Sequence, residues 1–531
     1  MSALVILVVI GAAVLAGTTL ARRTRVSPPL VLLVCGVVLG LAPRLREVSL
    51  PPDVVLLLFL PVLLFWESLA TSLREIRSNL RGVILNSTVL VIVTAAAVAA
   101  VAHALGMPWG PAWVLGAAVA PTDATAAGSL LSRGLSRRRV TVLRAESLVN
   151  DGTALVVYGL AVGVTVGEEQ LSLGHVTGLF ALAYAGGALA GSAAAWVIEQ
   201  LRRRLDDPLD ENVITLLGPF AAYLLAEVAH ASGVLAVVVY GLIRSQVAPR
   251  RQRADTRQLG TSFLTLTTYL LNGALFVLVG MQLHTAVRGL DGTGLVRGLA
   301  AIAVISVVVI GARIAWFLTV PYLIRAVDRR PGQRQRRVSV RQRMISAVAG
   351  FRGAVSLAAA LAVPQTVGSG AAFPDRDLIV FVTAGVIVVT LAQGLLMPAV
   401  VRWSGERPDT SVDLERSLAE TRATEAALEA IDHEADRLGT DPEVVERTRG
   451  EFEEHLSALR AAGAEPGAAG SATTLRHQQQ YADLRVALIA RKRAEVIALR
   501  DQRRIDDIVL RRLETTLDAE EVRLTRRDVS D

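Results

Sequence analysis

The sequence predicts an all-α, polytopic membrane protein carrying a charged helical tail, and three observations lead to that class. Apolar runs of 18 or more residues recur from position 3 to about 402, with 52% hydrophobic and only 19% charged residues. Runs of this length match the hydrocarbon thickness of a bilayer. Inside them sit six ionisable side chains, Glu67, Asp123, Glu146, Asp151, Arg313 and Arg352, in a medium where a central charge costs about 3 kcal/mol or more and usually marks an ion or proton pathway. Third, charge divides along the chain: residues 1–403 carry a net +15 and residues 404–531 a net −8.

Hydropathy predicts thirteen spans, at 3–21, 28–42, 53–70, 82–103, 111–131, 139–166, 176–198, 212–230, 233–247, 260–283, 295–325, 343–363 and 377–402. The first has no basic residues ahead of it and Arg22, Arg23 and Arg25 behind it, the pattern of an uncleaved span with its N-terminus outside rather than of a secretory signal. Arginines in the connections test the remaining order. Twenty-six fall in the alternate connections that begin with 22–25 and end with 325–343, against five in the others (Arg44, Arg46, Arg288, Arg297 and Arg376). The basic side is cytoplasmic, so the N-terminus is expected outside and the C-terminus inside. The basic surplus is therefore juxtamembrane, and nucleic acid is not an expected partner; the expected surroundings are the lipid bilayer of the cytoplasmic membrane. Cys35 is the only cysteine, which leaves no disulfide framework and no thiolate metal cluster.

Two spans break the helical pattern. Span 5 reads Ala120-Pro121-Thr122-Asp123-Ala124-Thr125-Ala126-Ala127-Gly128, and span 12 reads Gly350-Phe351-Arg352-Gly353-Ala354-Val355-Ser356. Helix breakers at membrane depth are tolerated where the freed backbone lines a cavity or is buried in protein. Interrupted helices in matching positions predict two inverted-topology repeats, spans 1–6 and 8–13, whose discontinuous helices cross at a binding site. Two unrelated Pro/Gly kinks are the plainer alternative.

Depth and spacing place the charges together. Asp123 is about twelve residues from the external start of span 5 and Asp151 about twelve from the cytoplasmic start of span 6; at helical rise each lies about 18 Å into a core of about 30 Å. On span 6, Ser147 and Asp151 share one face, while Glu146 and Asn150 form the adjacent stripe. The first stripe offers a carboxylate and a hydroxyl to an ion; the second offers a carboxylate to a buried arginine and an amide to orient neighbours. Oxygen ligands of this kind suit a hard monovalent cation.

Beyond residue 403 apolar residues recur at helical spacing, Asp441-Pro442 resembles a helix start, and Ala462–Ser471 is a linker between helices that resume near 474–503 and 505–524. This 404–531 region is expected to be a cytoplasmic helical domain without a catalytic motif.

These motifs carry a family resemblance. Glu146-Ser147-Leu148-Val149-Asn150-Asp151 resembles the ESLLND signature of the NhaP/NHE sodium/proton exchangers. Pro121-Thr122-Asp123 is similar to the family's PTDP motif, Phe276-Val277-Leu278-Val279-Gly280 to its FxxxG, Phe351-Arg352-Gly353-Ala354-Val355-Ser356-Leu357 to its GLRGAVSL, and Leu63-Leu64-Phe65-Trp66-Glu67 to its LLFEA-type segment. Ala124 and Phe351 depart from the pattern, where proline and leucine are usual, without removing a ligand. The resemblance implies a homodimeric secondary transporter for pH and sodium homeostasis, not an enzyme, with no resident cofactor. It implies sodium contacts from Asp151, Asp123 and Ser147, with Glu67, the Thr122 carbonyl and Asn150 completing the cation and proton site. It further implies a structural Glu146–Arg313 ion pair and an Arg352 facing carbonyls at the broken helix. Glu227 matches a family glutamate of unassigned partner. His103, His175, His230 and His284 lie near span ends and read as interfacial.

The electrogenic relatives resemble one another in having two adjacent aspartates and a span-11 lysine. Here Asn150-Asp151 and Arg313 stand instead, and Lys492 is the only lysine. Arginine stays protonated in proteins, so the expectation is electroneutral exchange of one sodium or lithium ion for one proton. Potassium/proton exchange at the same site is the alternative. A cation channel would need a continuous pore, and an intramembrane aspartyl protease using Asp123 and Asp151 would leave Glu146, Asn150 and the arginines without a role.

Overall fold

A computed structural model describes residues 3–24, 26–42, 55–123, 135–167, 173–205, 207–288, 292–327, 339–405, 411–462, 471–502, 504 and 507–525. The chain divides into two compact units, Met1–Pro408 and Asp409–Asp531, slightly beyond the 403/404 boundary read from composition.

Among the described residues of the first unit the architecture is all-helical apart from one isolated bridge between Thr366 and Ala372. The helices are α1 (Ala3–Thr24), α2 (Pro28–Gly40), α3 (Leu60–Leu69), α4 (Leu73–Ser78), α5 (Leu80–Ile84), α6 (Leu90–Ala104), α7 (Trp109–Val119), α8 (Arg137–Val166), α9 (Leu173–Ala181), α10 (Gly187–Arg202), α11 (Pro208–Val228), α12 (Gly233–Arg251), α13 (Ala254–Arg288), α14 (Gly292–Val327), α15 (Val340–Val348), α16 (Ala354–Leu361), α17 (Arg376–Gln393) and α18 (Met397–Ser404). Single π-helical turns at Val55–Phe59, Leu85–Val89 and Leu182–Gly186 lead directly into α3, α6 and α10.

Local chemistry sets many of these boundaries. Ser232 accepts a hydrogen bond from the Leu235 N–H to start α12, and Ser339 with Gln342 forms a reciprocal capping box on α15. Gly167, at φ 89°, closes α8 in the left-handed conformation that glycine adopts without strain.

Among the described residues, eight helical stretches are long and apolar enough to cross a membrane: Leu4–Thr24, Leu80–Ala104, Arg139–Val166, Val176–Arg202, Pro208–Val228, Ala254–Gln282, Gly292–Ile324 and Arg376–Ser404. Pro28–Gly40, Leu57–Leu69 and Trp109–Val119 are apolar but shorter. Several helices outrun their expected spans, α13 and α14 most clearly, because hydropathy marks only the lipid-facing stretch while backbone hydrogen bonding continues past it. The short α4 was not expected at all. The rest of span 5, residues 124–131 with Ala124, lies outside the described residues, as do the start of span 3 and most of the 462–471 linker.

The FxxxG motif proves to be packing. A Cβ on Gly280 would overlap the Leu33 carbonyl, and one on Gly36 would overlap the Val277 carbonyl. With no Cβ on either side, α2 and α13 pack backbone to backbone, the close approach that small residues permit between apolar helices. Phe276, Val277 and Val279 then join Leu32 and Leu33 in one buried cluster.

The second unit consists of α19 (Ser411–Leu438), α20 (Pro442–Ala462), α21 (Ser471–Asp501) and α22 (Asp507–Thr525). Asp441 caps α20 through the Glu443 N–H at 2.9 Å. Arg449–Asp432 and Arg460–Glu425 tie α19 to α20, while Arg493 contacts Asp518 and Glu521 between α21 and α22.

Candidate functional site

Two non-helical stretches meet at the centre of the first unit. α7 stops at Val119, with the Ala120 N–H closing its last turn on the Gly116 carbonyl at 3.0 Å, and Pro121–Asp123 is non-helical; α15 stops at Val348, and α16 resumes only at Ala354. The Asp123 N–H donates to the Phe351 carbonyl at 2.8 Å, so the two freed backbones satisfy one another. Gly353 makes the approach possible, since a Cβ there would overlap the Asp123 carboxylate.

Arg352 fills the space beneath this crossing and is only 2% exposed. Its Nε donates to the Val119 carbonyl at 2.9 Å, its Nη1 to the Gly350 carbonyl and its Nη2 to the Ala120 carbonyl at 3.5 Å. Its backbone N–H is held by Thr390 Oγ1 at 3.2 Å. The guanidinium thus takes the carbonyls left open at the C-terminal end of α7, where the helix dipole is negative. The carbonyl partners are what low polarity requires: a buried cation needs acceptors on most of its five N–H groups.

α8 presents the rest of the site. Glu146, Asn150 and Thr153 lie on one stripe, with Ser147 and Asp151 on the next; all five are buried. Glu146 Oε1 stands 2.6 Å from Arg313 Nη2 on α14, with both side chains under 5% exposed. Arg313 is fixed further by Nε donating to the Ser346 carbonyl at 3.1 Å and by the Phe317 ring 5.2 Å from its guanidinium carbon. Asn150 Nδ2 donates to the Thr122 carbonyl at 3.1 Å and to Thr122 Oγ1 at 2.8 Å. The amide therefore pins the open backbone before Asp123 to α8.

Asp151, Asp123 and Glu67 on α3 lie within electrostatic reach of one another, and Arg144 acts on Glu67. Asp151 is buried, and Asp123 and Glu67 are partly exposed; carboxylates gathered in this way repel, and a positive charge entering among them relieves that repulsion. Among the described residues no three of His, Cys, Asp and Glu converge closely enough to hold a metal ion unaided. A cation here would need hydroxyl and backbone oxygens as well, of the kind Ser147 and Thr122 carry. A small polar crevice lies on the other stripe, lined by Asn86, Thr94, Thr122, Glu146, Asn150, Arg313 and Arg352. Glu227 is apart from this constellation, exposed on α11 and hydrogen-bonded by Tyr223.

Sequence reasoning missed several partners. Asn86 Nδ2 donates to Glu146 Oε2 at 3.3 Å, and Trp316 Nε1 donates to Asn86 Oδ1 at 3.0 Å. Thr390 and Ser346 were equally unmarked. The polar run Asn86-Ser87-Thr88 inside an apolar span was the available signal, because an amide at membrane depth seeks a partner.

Comparison with known proteins places the chain. The family described as "Sodium/hydrogen exchanger, transmembrane" matches residues 10–403. An uncharacterised Na+/H+ exchanger of Mycobacterium tuberculosis is 46% identical over 98% of this chain and 96% of its own length. The Na+/H+ antiporter ApNhaP of Aphanothece halophytica is 31% identical, covering 76% of this chain and 74% of that protein. The solved sodium proton antiporter MjNhaP1 of Methanocaldococcus jannaschii superposes with a TM-score of 0.55 at 19% identity, over 75% of this chain and 98% of that one, and so shares the fold. A match through nearly the whole membrane unit, together with the relatives, settles the assignment: the chain belongs to the sodium/hydrogen exchanger family of membrane transporters.

Proposed function

We propose that the protein exchanges sodium or lithium ions for protons across the cytoplasmic membrane, one for one, in pH and sodium homeostasis. The observation that supports this best is the gathering of Asp151, Asp123 and Glu67 beside two crossed non-helical stretches. Such a site requires a compensating positive charge, and a sodium ion and a proton compete to supply it. Asp151 is the shared group. Asp123, Ser147, Glu67 and the Thr122 carbonyl complete the cation's oxygen shell, while Asn150 holds the Thr122 segment. The Glu146–Arg313 pair and Arg352 keep the framework rigid without touching the ion.

In this reading the chain crosses the bilayer thirteen times as two inverted repeats, N-terminus outside and C-terminus cytoplasmic, and works as a homodimer. Alternating access moves spans 4–6 and 11–13 against the remaining spans, carrying either occupant past the midplane. Arg313 remains charged throughout and Asn150 is neutral, so each cycle trades one cation for one proton with no net charge. Sodium-driven proton flux in proteoliposomes should be indifferent to a potential imposed with potassium and valinomycin. A rate that follows the imposed potential contradicts one-for-one exchange and leaves the family assignment standing.

A second reading, potassium in place of sodium, is favoured by one observation. A 28% identical relative from Bacillus pumilus is named a sodium, potassium, lithium and rubidium/H+ antiporter. Replacing sodium with potassium in a flux assay run without valinomycin separates the two.

A further inference from the structure

The π-helical turn Leu85–Val89 interrupts an otherwise continuous span, and such single turns occur frequently at functional sites. Its side chains and backbone grip α8 at two points. Asn86 Nδ2 reaches Glu146 Oε2 at 3.3 Å, and the Ser87 carbonyl accepts the Thr153 hydroxyl at 2.7 Å. Glu146 and Thr153 are seven residues apart, two helical turns on one stripe, and Asn150 lies between them. A second π-helical turn, Leu182–Gly186, brings Tyr184 against the same Thr153 hydroxyl. From the other side, Trp316 on α14 fixes the Asn86 amide. Its indole N–H can only donate, so it claims Asn86 Oδ1 at 3.0 Å and turns the amide nitrogen toward Glu146.

We infer that Asn86, oriented by Trp316, is a positioning residue for the ion site: it fixes the Glu146 carboxylate and thereby the register of the α8 stripe that carries Ser147 and Asp151. The inference rests on the exchange reading above. Spans 4, 6 and 11 converge on one amide, whose hydrogen bonds run to Glu146 and Trp316. Disturbing it therefore acts on cation affinity through geometry, as loss of an outer partner does at other ion sites.

The experiment uses the full-length protein in proteoliposomes and measures the sodium concentration for half-maximal proton flux, alongside melting of the purified protein. Asn86→Leu keeps the volume and removes both hydrogen bonds. It is expected to raise the half-maximal sodium concentration about tenfold, with a melting point close to that of the unsubstituted protein. Trp316→Phe removes only the orienting donor and should give a smaller rise. The double substitution should be no worse than Asn86→Leu alone, since both break one relay, and Asn86→Gln, which restores an amide, should recover part of the affinity. If Asn86→Leu fails to fold, Trp316→Phe carries the test by itself. Unchanged sodium dependence in folded variants, or effects that add independently, overturn the inference. Absence of sodium-driven flux in the unsubstituted protein overturns the exchange reading and this inference with it.

Discussion

Two sets of buried ion pairs among the described residues of the membrane unit are built differently. At the centre, Glu146 and Arg313 approach to 2.6 Å, and each has a further hydrogen-bond partner on another segment: the Asn86 amide donates to the carboxylate, and the guanidinium donates to the Ser346 carbonyl. At the ends of α10, α11 and α12, Arg202 stands 3.9 Å from Glu211 and Arg244 stands 3.8 Å from Glu199, although both arginines are 5% exposed. There Glu199 is shared with the half-exposed Arg251 at 2.9 Å, and Arg202 makes its closer contact with Thr215 Oγ1 at 2.9 Å. Burial is alike; organisation is not. A buried pair fixes geometry only when its remaining donors and acceptors are met, since the Coulombic gain otherwise barely offsets desolvation. The central pair comes nearer to that condition, with Asn86 on the carboxylate and the Ser346 carbonyl on the guanidinium, whereas at the outer pairs Arg202 Nε and Nη1, Arg244 Nη1 and Glu211 Oε2 are buried without a hydrogen bond.

The sharpest way to break this contrast is to remove one partner from each pair. Glu146→Ala or Arg313→Ala is expected to cost about 3–5 kcal/mol, the usual penalty for stranding a buried charge. Substituting both by neutral residues should recover part of that loss in thermal unfolding of the purified protein; a double variant as unstable as the sum of the singles means that the two are not partners. Glu211→Gln is expected to cost less than either central substitution, because Arg202 keeps Thr215 and its carboxylate contact is already long. Equal losses at the two places would erase the distinction.

Removing residues 410–531 should have a smaller effect on exchange, shifting at most its pH profile or expression. The second unit is held together by its own contacts, Arg493 with Asp518 and Glu521 among them, and the residues proposed for the ion site all lie in the first. Loss of flux in a folded, membrane-inserted truncation would show that the tail gates the cycle. The smallest effect concerns the tail itself. Hydrogen bonding from Arg485 holds the Glu520 carboxyl below the usual carboxylate range. That contribution is present above the unfolded-state value and fades as pH falls through the lowered one. Hydrogen exchange in α21 and α22 should therefore be slower at neutral pH than below pH 4, once the intrinsic rate is corrected for, and an equal corrected rate contradicts it.

Much of the membrane unit was legible because bilayer physics is stringent. Long apolar runs show where helices run, and charges or Pro/Gly clusters inside them show where they break, so Asp123, Asp151, Arg313 and Arg352 could be named from the sequence alone. Helical spacing on 146–151 also separated the stripe of Ser147 and Asp151 from that of Glu146 and Asn150. What remained hidden depends on contacts across the fold. Asn86 and Trp316 form a relay only because the π-helical turn sets the amide against α8, and no local signal announces a π turn. The span at 260–283 is shorter than α13 because hydropathy fades before the backbone hydrogen bonds do. Gly280 was legible as a motif but not as a close crossing with Gly36, since its partner lies far away in sequence.

The central claim is that one carboxylate, Asp151, serves cation and proton in turn. It is tested most directly by sodium-driven proton flux in proteoliposomes holding purified Asp151→Asn protein, with unsubstituted protein alongside. An asparagine keeps the shape but can neither release a proton nor present a negative charge to sodium. The predicted result is a folded protein without exchange, while the unsubstituted protein exchanges. Flux in Asp151→Asn equal to that of the unsubstituted protein would contradict the account.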